Sequence, residues 1–132
     1  MIGHVRHAVR VVRSLLRERK KAKERSPHWP EVERAYHKSH PTCAACGTAT
    51  RIQIHHKKPF HLDPALELEP SNLIALCMAE HECHLRIGHG DDFKAYNPNV
   101  EADAASCLRA SDMRLLIEAR AKQNRRYALG GA

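Results

Sequence analysis

Two cysteine pairs constrain this chain more than any other feature. Cys43-Ala44-Ala45-Cys46-Gly47 sets two thiols two residues apart on a turn that the glycine permits, and Cys77 and Cys83 form a second, wider pair. Four thiolates would close a tetrahedral structural zinc site. The bland alternative is four ordinary buried cysteines. His81 stands between Cys77 and Cys83 and competes for the place of fourth ligand, with Cys83 preferred. Cys107, the fifth cysteine, reads as a small apolar residue on a helix. With 132 residues, 5% of them aromatic, the chain has room for one modest core, and a metal staple is the expected way to hold it. No apolar run is long enough for a secretory signal or a membrane span. The expected setting is therefore a reducing cytoplasm, where such pairs bind metal more often than they form disulfides.

The charge is lopsided. Nine lysines and arginines between Arg6 and Arg25, set against Glu18 and Glu24, carry the whole formal excess of +7 and leave the rest of the chain neutral. From Val5 to Lys23, Val5, Ala8, Val9, Val12, Leu15 and Leu16 recur at helical spacing, so residues 1–26 read as a basic amphipathic arm. Clustered cations gain from counterion release on a polyanion, which makes Arg6, Arg10, Arg13 and Arg17 candidate nucleic-acid contacts. The competing reading is a solvated helix whose apolar stripe docks on the core. A mitochondrial transit peptide has a similar composition, but this run continues directly into a folded segment.

Ser26-Pro27 breaks the arm, and Trp29-Pro30 opens a short helix with Val32, Ala35 and Tyr36 on its inner side, ended by His40-Pro41. Thr42 to Gly47 is a tight turn. Arg51 to His55 alternates as a β-strand, and Pro59 to Asn72 is a proline-punctuated loop. Asn72-Leu73-Ile74-Ala75-Leu76-Cys77 leads into the second cysteine pair and a helical segment from His84 to Ile87, stopped by Gly88 and Gly90. Two helices follow, near 99–108 and 112–124, with Ser111 as a cap, and the final Gly130-Gly131-Ala132 reads as a disordered tail.

At the end of the expected strand stands His55-His56-Lys57-Lys58-Pro59. Neighbouring side chains on a regular strand face opposite ways, so both histidines can serve one site only where the strand ends. Imidazole is both a common metal ligand and a good proton acceptor near neutral pH, and two together can divide those tasks. Among eleven histidines a pair alone says little; its company is what matters. Asn72-Leu73, then Leu76-Cys77, then Cys83-His84 follow in order.

In that order of elements, from Pro41 to His89, the chain resembles the HNH endonuclease family. His28-Trp29-Pro30 and Tyr96-Asn97-Pro98 look like flanks of bacterial and phage members. Two departures stand out: His55 occupies a position that is Asp in many members, and the second cysteine pair is wider than usual. The resemblance implies an α+β fold, a small ββα-metal (His-Me finger) core over 27–97 with flanking helices, a structural zinc and C-terminal helices over 98–132. It implies that His56 is the general base, that His55 and His84 hold a catalytic magnesium, manganese, nickel or zinc ion, and that Asn72 braces the loop carrying the base. His89 is a candidate third ligand. Lys57 and Lys58 are candidate phosphate contacts, with a solvated surface as the alternative, and His61 is read as structural or phosphate-facing. The implied partner is double-stranded DNA, with a dimer as the arrangement that would cut both strands. A non-catalytic zinc module that holds nucleic acid, and a redox or metal-storage protein, are the competing functions.

Overall fold

The computed structural model describes residues 8–15 and 24–128, and over these the protein is a small α+β unit. Residues 8–15 are helical and exposed throughout, Val9, Val12 and Leu15 included, so over this stretch the apolar stripe of the arm lies on no core. Arg10 and Arg13 belong to it; Arg6, Arg17 and the 130–132 tail lie outside the described residues.

Ser26 accepts the Trp29 N–H at 3.2 Å where the chain turns into helix α1 (Trp29–Ser39), with Pro30 in its first turn. Proline suits that position because its missing N–H has no partner there in any case. Trp29, Val32 and Tyr36 are half-buried, whereas Ala35, expected on the inner side, is exposed. The Tyr36 hydroxyl donates to the Leu73 carbonyl at 2.9 Å and ties the helix to the sheet.

Strands β1 (Ile52–His56) and β2 (Leu73–Cys77) pair antiparallel, with Ile52 opposite Cys77 and His56 opposite Leu73. β1 starts one residue later than its alternation suggests, because Arg51 takes a left-handed φ of 51° that no strand continues through. β2 is buried along its whole length, which is why it reads as an unbroken apolar run. Between the strands lie two short 3-10 turns, Pro64–Leu66 and Pro70–Asn72.

After β2 come a π-helical turn (His84–Gly88) and helices α2 (Val100–Arg109) and α3 (Met113–Ala128). α3 is capped by Asp112, whose carboxylate accepts the Leu115 N–H at 3.2 Å, and not by Ser111 as its sequence position suggested. Leu76, Ile87, Val100, Ala104 and Ile117 fill the core together with Cys43, Cys77, Cys83 and Cys107. Among the described residues, no helix is long and apolar enough to cross a membrane.

Candidate metal centres and the histidine cavity

One sulfur from each of Cys43, Cys46, Cys77 and Cys83 lies within 4.8 Å of the others, and Cys46 and Cys77 approach to 3.6 Å. The backbone aims them. Cys43 N–H donates to Thr48 and Gly47 N–H returns to Cys43, each at 2.8 Å, with Gly47 at φ 78°. Ala44 N–H then donates to Ala75 at 2.9 Å, docking this turn on the strand that carries Cys77. His81 stands outside the group and borders a separate surface hollow with Glu80 and Glu82. A hydrogen bond from Cys83 pulls the Cys43 thiol well below its usual value, while burial pushes Cys46 up and the bond to Cys43 holds Cys83 up. Left to themselves, Cys43, Cys46 and Cys83 thus hold their protons unequally. The four cysteines could hold a metal ion, and an all-sulfur tetrad suits zinc.

A second cluster gathers His55, His84 and His89, one nitrogen of each within 4.8 Å of the others. His84 Nδ1–H donates to Gln53 Oε1 at 2.6 Å, and His89 Nδ1–H donates to the Ala95 carbonyl at 2.7 Å. In the neutral rings both Nε2 atoms are therefore bare lone pairs, and they face each other at 3.2 Å. His55 Nδ1 lies 3.1 Å from His84 Nε2. Burial, reinforced by the neighbouring imidazoles, holds His55 down at about 2 and His84 at about 4, so both stay neutral near pH 7. Two bare nitrogens facing each other, with a third nitrogen beside them and the His55 Nε2 buried without a partner, fit a cation, and outer hydrogen bonds of this kind orient ligating imidazoles. The space beneath the rings is also reserved. A Cβ on Gly88 would meet His55 and His84 ring carbons at 3.3 Å.

Spacing alone argues against His89 in this cluster, since five residues overshoot one α-helical turn. The π turn resolves it by widening the helix between His84 and His89. Asn97 secures that turn. Its amide donates to the Ile87 carbonyl at 3.0 Å and to Asp103 at 2.7 Å, and its N–H donates to the Gly88 carbonyl at 3.1 Å. Arg120 in turn lies 3.5 Å from Asp103. Asn-Pro at 97–98 was visible in the sequence only as a flank; what it does needed the fold.

His56, the last residue of β1, sits beside this cluster. Its Nε2–H donates to the Glu67 carbonyl at 2.9 Å, which leaves Nδ1 as the basic nitrogen, and burial lowers its pKa. The Trp29 ring lies 4.4 Å from the imidazole, centroid to centroid. Asn72 is buried beneath, accepting the Lys58 N–H at 2.9 Å and donating to the Lys58 and Leu66 carbonyls at 3.0 and 3.3 Å. It therefore clamps the backbone just after His56 to the backbone just before Glu67. Glu67 itself, absent from the sequence-based candidates, is 3% exposed and accepts the Ser26 N–H.

His55, His56, His84 and His89 line one cavity of about 410 Å³, together with Arg25, Trp29 and Phe93. His61 is on its wall as well. Lys57 and Lys58 are not: Lys57 pairs with Glu101 at 2.9 Å and Lys58 with Asp63 at 3.7 Å. Cys107 is buried on α2, in the core. Comparison with protein families, curated proteins and solved structures finds no match for this chain.

Proposed function

We propose that this chain is a metal-dependent endonuclease of the HNH type, built on a ββα-metal core and hydrolysing phosphodiester bonds in DNA. The observation that carries the reading is a single cavity holding both a histidine with one free basic nitrogen and three histidine nitrogens that converge, those of His84 and His89 left bare by the bonds their Nδ1–H groups make. A proton acceptor and a cation site side by side are what hydrolysis of a phosphodiester requires.

His56 Nδ1 takes the proton of the water that attacks phosphorus, while its Nε2–H stays on the Glu67 carbonyl and fixes the ring. Asn72 keeps that carbonyl and the strand end in register. A divalent ion held by His55, His84 and His89 would lend positive charge to a phosphate oxygen. The all-nitrogen donor set favours nickel or zinc over magnesium, which prefers oxygen ligands. The four cysteines would hold the structural zinc, and the exposed Arg10 and Arg13 would add sequence-independent attraction to the DNA backbone.

Supercoiled plasmid incubated with each divalent ion in turn tests this reading. The wild type is expected to nick or linearise it, most actively with nickel or zinc. His56→Ala should lose roughly 100-fold or more in rate while keeping both ions, the usual scale for a missing general base. An inactive wild type with every ion, or a fully active His56→Ala, would overturn it.

A further inference from the structure

The chain spends its few large aromatic side chains in an unusual place. It has one tryptophan and two phenylalanines, and among the described residues no Trp, Phe or Tyr side chain belongs to the buried core. Trp29, Phe60 and Phe93 all line the histidine cavity instead. Such rings ordinarily do the heaviest packing in a small domain, so their collection at an opening calls for a ligand with flat apolar faces.

Their settings differ. Trp29 packs on His56, and Phe60 lies beneath the Arg25 guanidinium, whose carbon sits 4.5 Å from the ring centroid. Arg25 also lies 3.9 Å from the Glu67 carboxylate, with its side chain still 56% exposed. Phe93 is 55% exposed; its ring meets His89 at 5.0 Å and His84 at 5.7 Å, tilted and edge-on, directly beside the cation site. Arg25 and Lys94 bring two cations to the lining, and Glu33 is its sole acid.

We infer that this cavity is a nucleotide subsite, in which Phe93 stacks an unpaired base next to the scissile phosphate and Arg25 neutralises the adjoining backbone. The inference deepens the nuclease reading and rests on it for the place of the cut. A nucleotide combines an aromatic face with an anionic link, matching a lining of rings and cations. In an intact duplex the base faces are covered by their neighbours, so an aromatic platform can engage only a base that is unpaired or turned out. The favoured substrate is accordingly DNA with a single-stranded stretch or a bubble at the cut, and stacking makes the preference tolerant of sequence.

The test uses the full-length, zinc-loaded protein and one DNA sequence in two forms, fully paired and with a short central bubble. Cleavage rates and fluorescence-anisotropy binding are read for both, and quenching of Trp29, the sole tryptophan, reports entry of a base. The wild type is expected to favour the bubble by about tenfold, the scale of one stacked base. Phe93→Leu, which keeps apolar contact with the histidine rings, should bring that ratio close to one, and Phe93→Trp should restore it. An equal or duplex-biased wild type, or a Phe93→Leu variant that keeps the bubble preference, overturns the inference. If no DNA is cut yet bubble binding still depends on an aromatic ring at 93, the nuclease reading fails and the subsite stands. If duplex is cut with no such dependence, the subsite fails alone.

Discussion

Gly88 shows how one side chain's absence can decide a site. In the sequence, Gly88 and Gly90 both look like helix stops, and Gly90 behaves as one, with φ 59° and a Cβ position only 2.8 Å from Asn124. Gly88 instead sits within the π turn, where an added Cβ would press on Leu76 at 3.2 Å and on His55 and His84 at 3.3 Å. Those contacts are tighter than ordinary packing, so the rings would have to move. Gly88→Ala should cost about 1–3 kcal/mol of stability through overpacking and weaken the three-histidine site by roughly tenfold. Cobalt titration followed by absorption checks this, since thiolate-bound and imidazole-bound cobalt absorb differently. Affinity unchanged at the histidine site would mean that the rings yield without losing their convergence. His55, His56 and Asn72 were legible as a group because motif order alone sets them near one another. Gln53, Ala95 and Glu67 were not, because each acts through an oxygen whose role appears only once the chain is folded.

Among the elements, β1 was readable and the π turn was not. Ile52 and Ile54 alternate with polar neighbours and so announce β1, whereas the unbroken apolar run from Leu73 to Cys77 was not assigned as a strand, because a run buried on both faces has no period to read. A π turn has no periodicity of its own in so short a segment. Here it is held by carbonyls that Asn97 satisfies from a later part of the chain, a tertiary cause that local spacing cannot display. The cap of α3 was misplaced by one residue for a simpler reason: Ser111 and Asp112 are both good capping types, and geometry chose Asp112. Asn97→Ala would leave the Ile87 carbonyl without its side-chain donor, in a buried place, and take a partner from Asp103. The expected cost is about 1–3 kcal/mol in stability, with a 10- to 100-fold loss of affinity at the histidine site and little at the cysteine site. Separate cobalt affinities for the two sites decide it. Equal losses at both would show that Asn97 supports the whole fold and not the turn in particular.

Across the whole molecule, the two candidate ion sites are joined by the chain itself. β2 ends in Cys77 and packs its other residues into the core, while Cys83 directly precedes His84, so one segment delivers ligands to both clusters. The cysteines belong to the same core as Leu76, Ile87 and Ile117, so an ion held by them would be a part of the packing. The single modest core could be anticipated from length and scarce aromatics, and the α+β character was implied by the resemblance in motif order. The placement of those aromatics at an opening could not, since composition counts residues without locating them. Because such a core is too small to stand on hydrophobic burial alone, zinc affinity and folding energy should be one quantity. Mild chelation is therefore expected to empty the three-histidine site first and leave circular dichroism unchanged. A stronger chelator, or Cys43→Ser, should remove the second ion and the helical signal together, with His84 losing its position as the segment from Cys77 to Cys83 comes loose. Metal content and circular dichroism measured on the same samples check the coupling, and a folded, zinc-free Cys43→Ser protein would show that the apolar core suffices without the ion.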